Sequence, residues 1–205
     1  MHRVHLQQLA SARDQTLERV GGLDQHRLEY SPAPGRWSVG EVLDHLVLME
    51  DYFRALIDRL IEQTRVGEIP LVGITFADFN PSPQFLPKAR LPALEALFAV
   101  LSGVTPFKAK ELFARYRLVK MEAPDIGLPR GGRARSELTD DLLTAIRRTE
   151  ALFDSHPELD YRRMVVRHPF FGRTNVLQIL NVLTLHERRH HRQIGDIVSS
   201  PGFPK

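Results

Sequence analysis

The sequence predicts an all-α protein built as a four-helix bundle. Three observations predict it. Four long stretches carry apolar side chains at three- and four-residue steps, the repeat that lines them up on one face of a helix. Strand-like alternation is sparse. The 205 residues, 42% apolar and 26% charged, suffice for one domain with its own core and are too few for two full-sized ones, so residues 1–205 read as a single domain.

The first stretch runs from about Val4 to Arg27, with Leu6, Leu9, Ala10, Leu17, Val20 and Leu23 roughly in register. Gly21-Gly22 weakens its end, and Ser31-Pro32-Ala33-Pro34-Gly35 breaks the chain. The second stretch opens on a capping box. Ser38 can accept from the backbone N–H three residues on, and Glu41 can reach back. Behind it Val42, Leu43, Leu46, Met49, Phe53, Ile57, Leu60 and Ile61 form one stripe that ends near Thr64. Residues 65–135 form an irregular insertion between the second and third long helices. Its prolines forbid long helices, Pro92 opens a short one, and Phe76, Phe79, Phe85 and Phe107 supply apolar packing material. The third stretch starts near Ser136 or Thr139 and ends by His156-Pro157, with Leu138, Leu142, Ile146 and Phe153 inward. Residues 159–173 read as extended or irregular. The fourth helix opens at Thr174 or Asn175 and reaches about Val198.

Several classes of function are excluded or disfavoured. No run approaches the roughly 20 apolar residues of a membrane span. The first residues lack the apolar core of a secretory signal. Cysteine is absent, which removes disulfides, thiolate metal sites and Cys nucleophiles, and suits a reducing compartment. The net charge of +3 is slight and its signs are interleaved, unlike the basic face of a nucleic-acid binder. The expectation is a cytoplasmic protein with a small-molecule substrate and no nucleic-acid or membrane partner.

Chemistry concentrates on the fourth helix. His186 and His190 fall within its buried stripe, four residues apart, so their rings lie one turn from each other on one face. Two neutral imidazoles so placed can clamp a zinc, nickel or iron ion. Two core histidines hydrogen-bonded to backbone or water would fit the same pattern, because buried rings must find partners. The segment also spells H-E-x-x-H, which offers Glu187 as a catalytic general base. The metalloprotease reading is set aside, since His191 and Asp196 downstream lie on the same helix and close a site poorly. Glu187 falls on the buried side of the wheel, where it can serve as base, support a ligand or pair with an arginine. A third ligand must come from another helix, and the second helix offers His45.

These residues meet a known pattern. The run Arg36-Trp37-Ser38-Val39-Gly40-Glu41-Val42-Leu43-Asp44-His45-Leu46 resembles the first motif of the DinB-like superfamily, a Trp before a capped helix with a His-Leu inside it. His168-Pro169-Phe170-Phe171-Gly172 followed by His186 to Ile194 resembles its closing motif, H-x-x-x-H-x-x-Q-I. The resemblance spans nearly the whole chain. It implies an up-down-down-up bundle and a divalent metal, most often zinc or nickel, held by His45, His186 and His190. Members of the family include thiol S-transferases using bacillithiol, mycothiol or glutathione, maleylpyruvate isomerase, and proteins described as metal-dependent hydrolases, while many have no assigned activity. A low-molecular-weight thiol is therefore an implied second cofactor.

Three functions compete on this reading: a metal-dependent transferase or hydrolase, a non-catalytic metal-binding stress-response protein, and a metal-free interaction module. Under all three a homodimer is expected, from apolar surface on Val47, Leu48 and the insertion. Trp37 reads as a core aromatic before its helix. Arg188, Arg189 and Arg192 share a polar face that is solvated, meets a partner, or receives an anionic substrate tail. His2, His5, His26, His156 and His168 read as structural or exposed.

Overall fold

Ser38 starts the longest helix as its sequence requires. Its hydroxyl accepts from the Glu41 backbone N–H, and the Glu41 carboxylate accepts from the Ser38 N–H, satisfying two donors that a helix start leaves unpaired. The structure, a computed structural model, describes residues 2–75, 125–168 and 172–205. Its helices are α1 (His2–Val20), α2 (Gln25–Glu29), α3 (Val39–Arg65), α4 (Arg135–Asp154) and α5 (Val176–Val198). A 3-10 turn spans Asp125–Gly127. Asn175 caps α5 with a second capping box, through Gln178. The first stretch is shorter than its apolar pattern suggested: α1 stops before Gly21-Gly22, and Asp24 caps the separate α2. The short helix expected after Pro92, and the phenylalanines of the insertion, lie outside the described residues.

Among the described residues the insertion's first residues and the segment read as extended or irregular contribute a small sheet. Strands β1 (Leu71–Gly73), β2 (Val165–His168) and β3 (Gly172–Asn175) pair in that order, β1 parallel to β2 and β2 antiparallel to β3. The sheet reveals the helix directions. β1 follows α3 and β2 follows α4, and the two strands pair side by side, so α3 and α4 end at the same end of the bundle. β3 leads straight into α5, which runs back. Leu6 and Leu9, early in α1, pack with Ile57, Leu60 and Ile61, late in α3. The long helices therefore run up, down, down, up. α1 and α3 each pack against both α4 and α5.

The core has two apolar parts. One gathers Leu6, Leu9, Phe53, Leu60, Phe153, Ile179 and Leu180 at the sheet end. The other gathers Val20, Val39, Leu43, Leu142, Ala145 and Ile194 at the opposite end. Fully burying an aliphatic side chain is worth about 1.5–3 kcal/mol, so each part contributes substantially to stability. Val47 is buried within the second part and Leu48 is half-buried; the insertion, which supplies the rest of the apolar surface expected to drive self-association, lies outside the described residues. No helix of the described residues is long and apolar enough to cross a membrane.

A polar layer lies between the two apolar parts. Arg13 of α1 is 1% exposed. Its Nε and Nη2 donate to the two oxygens of Glu187 on α5, at 2.7 and 3.2 Å. Nη2 also donates to Glu50 of α3 at 2.8 Å, and Nη1 to the Leu142 carbonyl of α4 at 2.5 Å. Thr149 of α4 donates to Glu50, and Thr16 of α1 donates to Glu187. One guanidinium thus ties all four long helices at a single level.

Candidate metal centre

The capped start of α3 sets the phase that points His45 inward, where it is 3% exposed. α5 brings His186 and His190 to the same place from across the bundle. His45 Nε2 lies 3.2 Å from His186 Nε2, and His190 Nε2 lies 3.1 Å from the same atom. The three ligand atoms all fall within 4.8 Å of one another, the only such group of three among the described residues. The pairing expected from sequence, one histidine early and two late, is what the fold brings together.

The outer nitrogens fix the tautomers. A carbonyl oxygen can only accept, so the 2.6 Å contact between His45 Nδ1 and the Gly127 carbonyl makes Nδ1 a donor. The 2.9 Å contact between His190 Nδ1 and Gln193 Oε1 does the same for His190. Both Nε2 atoms then carry lone pairs, and both face His186 Nε2. A single proton on His186 Nε2 can satisfy one of them; the other is left without a donor. A cation at the common point would satisfy all three. The two spacings to His186 suit one: for metal–nitrogen bonds of about 2.0–2.1 Å, neighbouring ligands sit roughly 3.0 Å apart in an octahedral face and roughly 3.4 Å apart in a tetrahedron. Imidazoles whose second nitrogen is held by a carbonyl are also the usual arrangement around bound metals.

Electrostatics keep the rings neutral. Burial pushes His45 down to about 4, opposed by the Gly127 hydrogen bond and assisted by the positive charge of Arg189. Burial also holds His186 and His190 well below the ordinary histidine value, and the neighbouring imidazoles and Arg189 add to it. Neutral imidazole is the ligating form.

The surroundings have distinct duties. Gly127 approaches His45 so closely that a Cβ there would sit 3.1 Å from the ring and 2.7 Å from Met49 Sδ. Asp44, next to His45 and fully buried, accepts from the Arg130 backbone N–H and the Arg133 guanidinium, each at 2.7 Å. Burial alone would raise the Asp44 carboxyl, but these hydrogen bonds outweigh it and hold the group below the ordinary carboxylate range. Asp44 thereby clasps the loop that carries the Gly127 carbonyl. Trp37 lies against the site, its ring 4.8 Å from His45 and stacked 6.5 Å from His190, while also packing on the second apolar part.

Glu187 takes the arginine partnership rather than a place among the imidazoles. Both its oxygens are engaged by Arg13, and Thr16 adds a 2.7 Å hydrogen bond. His191 faces α1, where its Nε2 lies 2.8 Å from Thr16 Oγ1. Sequence reasoning missed Arg13, Glu50, Asp44 and Gly127. Only Asp44, inside the α3 motif, carried a local signal.

An up-down-down-up bundle with three imidazoles converging from its second and fourth long helices defines a class of helical protein with a histidine cluster that could hold a metal ion. The chain belongs to the DinB superfamily, whose family model matches residues 8–194. It is similar to the uncharacterized protein YuaE of Bacillus subtilis (strain 168), 23% identical over 186 residues, which are 91% of this chain and 92% of YuaE. No solved structure matches the chain.

Proposed function

We propose that this protein binds one divalent ion, zinc or nickel, through His45, His186 and His190, and acts on a small molecule as a thiol S-transferase or hydrolase. The observation that supports this most is the pair of Nε2 lone pairs, on His45 and His190, directed at a third ring nitrogen at 3.2 and 3.1 Å. When bound, such an ion supplies Lewis acidity, making a thiol or a water a nucleophile near neutral pH. The chain's own groups do the rest. The Gly127 carbonyl and Gln193 orient two of the rings through their Nδ1–H groups. Trp37 shields the site from one side. His186, half-buried where its two companions are buried, marks the side from which substrate enters. The salt-bridged placement of Glu187 favours a structural duty for it over general-base catalysis.

The test is elemental analysis of protein purified without added metal, beside a His186→Ala/His190→Ala variant. Near-stoichiometric zinc or nickel, lost in the variant, is expected. Absence of metal from both proteins would contradict the proposal. Turnover is then sought as chelator-sensitive transfer of a thiol to an electrophile, or hydrolysis of an ester or amide. Bound metal with no rate above background would leave a binding protein and refute the enzymatic half.

A further inference from the structure

The Gly127 carbonyl that orients His45 belongs to a loop, and the loop is held at several points. Asp44 and His45, consecutive on α3, grip it with opposite polarity. His45 Nδ1–H donates to the Gly127 carbonyl at 2.6 Å, and the Asp44 carboxylate accepts from the Arg130 N–H at 2.7 Å. Gly132 then turns the chain through a left-handed conformation, with φ of 72°. Arg133 follows, and its guanidinium donates to Asp44 at 2.7 Å and to Asp141 of α4 at 2.7 Å. The Arg133 carbonyl accepts from the Gln25 side-chain amide of α2 at 3.0 Å, and the Gln25 oxygen accepts from the Arg135 N–H that opens α4 at 2.8 Å. Ala134 has no side-chain acceptor with which to cap α4, so Gln25 satisfies that donor from another helix. Arg133 thus stands where α2, α3 and α4 all hold the loop.

The two arms of Arg133 differ in weight. The Asp141 side chain is 44% exposed, where water screens an ion pair and leaves it little to contribute. The Asp44 side chain is 0% exposed, and a carboxylate buried that far must be hydrogen-bonded. His45 needs such a brace. The helix fixes where its Cβ lies, but the ring keeps two broad orientations about its last torsion, and its proton can sit on either nitrogen. A turned ring, or a proton on Nε2, takes the lone pair away from His186 and His190. We infer that Arg133 is a positioning residue for His45: through Asp44 it holds the Gly127 carbonyl against Nδ1, and so keeps the Nε2 lone pair aimed at the three-histidine centre. The inference deepens the metal reading above and rests on it only for the ion; the orientation of the ring is a property of the metal-free protein.

Two arms test it, and they fail separately. In the first, two-bond proton–nitrogen correlation spectra read the tautomer of each histidine in metal-free protein. Wild type is expected to hold the His45 proton on Nδ1. In Arg133→Gln the His45 signals should move to a mixture of tautomers, while His190, held by Gln193, keeps its proton on Nδ1. Arg133→Lys, which keeps a positive charge beside Asp44, should restore the wild-type pattern. Leu9→Ala, which empties part of the core at the sheet end, shows what lost stability alone does and should leave His45 unchanged. Asp44→Asn, nearly the same shape, is expected to act like Arg133→Gln and keeps the arm decisive if that variant does not fold. A proton on Nε2 of His45 in wild type, or an unchanged His45 in both Arg133→Gln and Asp44→Asn, overturns the positioning role. In the second arm zinc is titrated against a chelator. Arg133→Gln is expected to bind about tenfold more weakly than wild type, the loss typical when a ligand's outer partner is disturbed, and Arg133→Lys to recover most of it. Equal affinity in wild type and Arg133→Gln overturns the positioning role. No zinc on wild type contradicts the metal reading instead, and the metal-free spectra still decide whether Arg133 orients the ring.

Discussion

Replacing Arg13 with methionine isolates the member that holds the four long helices at one level. The substitution keeps most of the side-chain volume and removes a guanidinium that makes four hydrogen bonds, at 2.5, 2.7, 2.8 and 3.2 Å. Glu50 and Glu187 then face each other in the interior, each keeping only one threonine donor, Thr149 and Thr16 respectively. Breaking a buried ion pair by removing one partner costs about 3–5 kcal/mol, because the charge left behind has no water and no counter-ion. For a chain of this length about 1 kcal/mol moves the unfolding midpoint by 2–4 °C, so a fall of roughly 6–20 °C is expected. The loss should be pH-dependent. Burial already raises the Glu50 carboxyl above its ordinary value, opposed chiefly by Arg13, and removing Arg13 raises it further. A folded-state value above the unfolded one means the native protein binds more protons, so the variant loses stability as pH rises through that range and regains it as pH falls. Urea unfolding at pH 7.5 and pH 5.5 measures both effects. Adding Glu50→Gln and Glu187→Gln to the methionine variant should recover much of the loss, since the unpaired charges are gone. A midpoint drop of less than about 2 °C, or no recovery in the triple variant, would refute the argument that the uncompensated charges, not lost packing, set the cost.

Three other outcomes follow from the same geometry. Gly127→Ala should loosen metal about tenfold or more in competition with a chelator, because its Cβ collides with Met49 and the His45 ring and displaces the carbonyl that orients that ring. His45→Ala should abolish stoichiometric metal, whereas His191→Ala, which removes a contact to Thr16, should lower stability and leave metal content intact; equal loss of metal would break the ligand assignment. His168 is pushed down to about 3 by burial, so the unfolded chain takes up its proton first as pH falls below the ordinary histidine value. The stability it contributes is full above about pH 6.5 and drains at about 1.4 kcal/mol per pH unit below it, so His168→Phe should lose about 2 kcal/mol less than wild type between pH 7.5 and pH 5 in urea unfolding.

What the sequence revealed and what it hid divide along a physical line. Features encoded within one helix were legible. Ser38 and Glu41 sit three residues apart and announce a helix start. His186 and His190 sit four apart within an apolar stripe, and their spacing alone fixes their common face. Features made by residues distant in sequence were not. Arg13 lies on a weakly patterned helix, and its partner Glu187 is 174 positions away, so nothing local marks Arg13 as half of a buried pair, although the wheel puts Glu187 on the buried side of its helix. The Gly127 carbonyl, 82 positions from His45, is a backbone atom and leaves no side-chain signature; the close approach that demands glycine shows only in the fold. The strands were hidden for another reason. Each has three or four residues, too short for alternation to stand out, and Arg167 and Arg173 interrupt two of them.

The central claim is that three Nε2 atoms share one ion. Crystals of metal-loaded protein, with anomalous differences collected at the metal's absorption edge, address it most directly. The account predicts a single strong peak about 2.0–2.2 Å from Nε2 of His45, His186 and His190, with Nδ1 of His45 still on the Gly127 carbonyl and at least one coordination position not filled by protein. A peak bound to His191 or Glu187, or to only two of the three imidazoles, would contradict it.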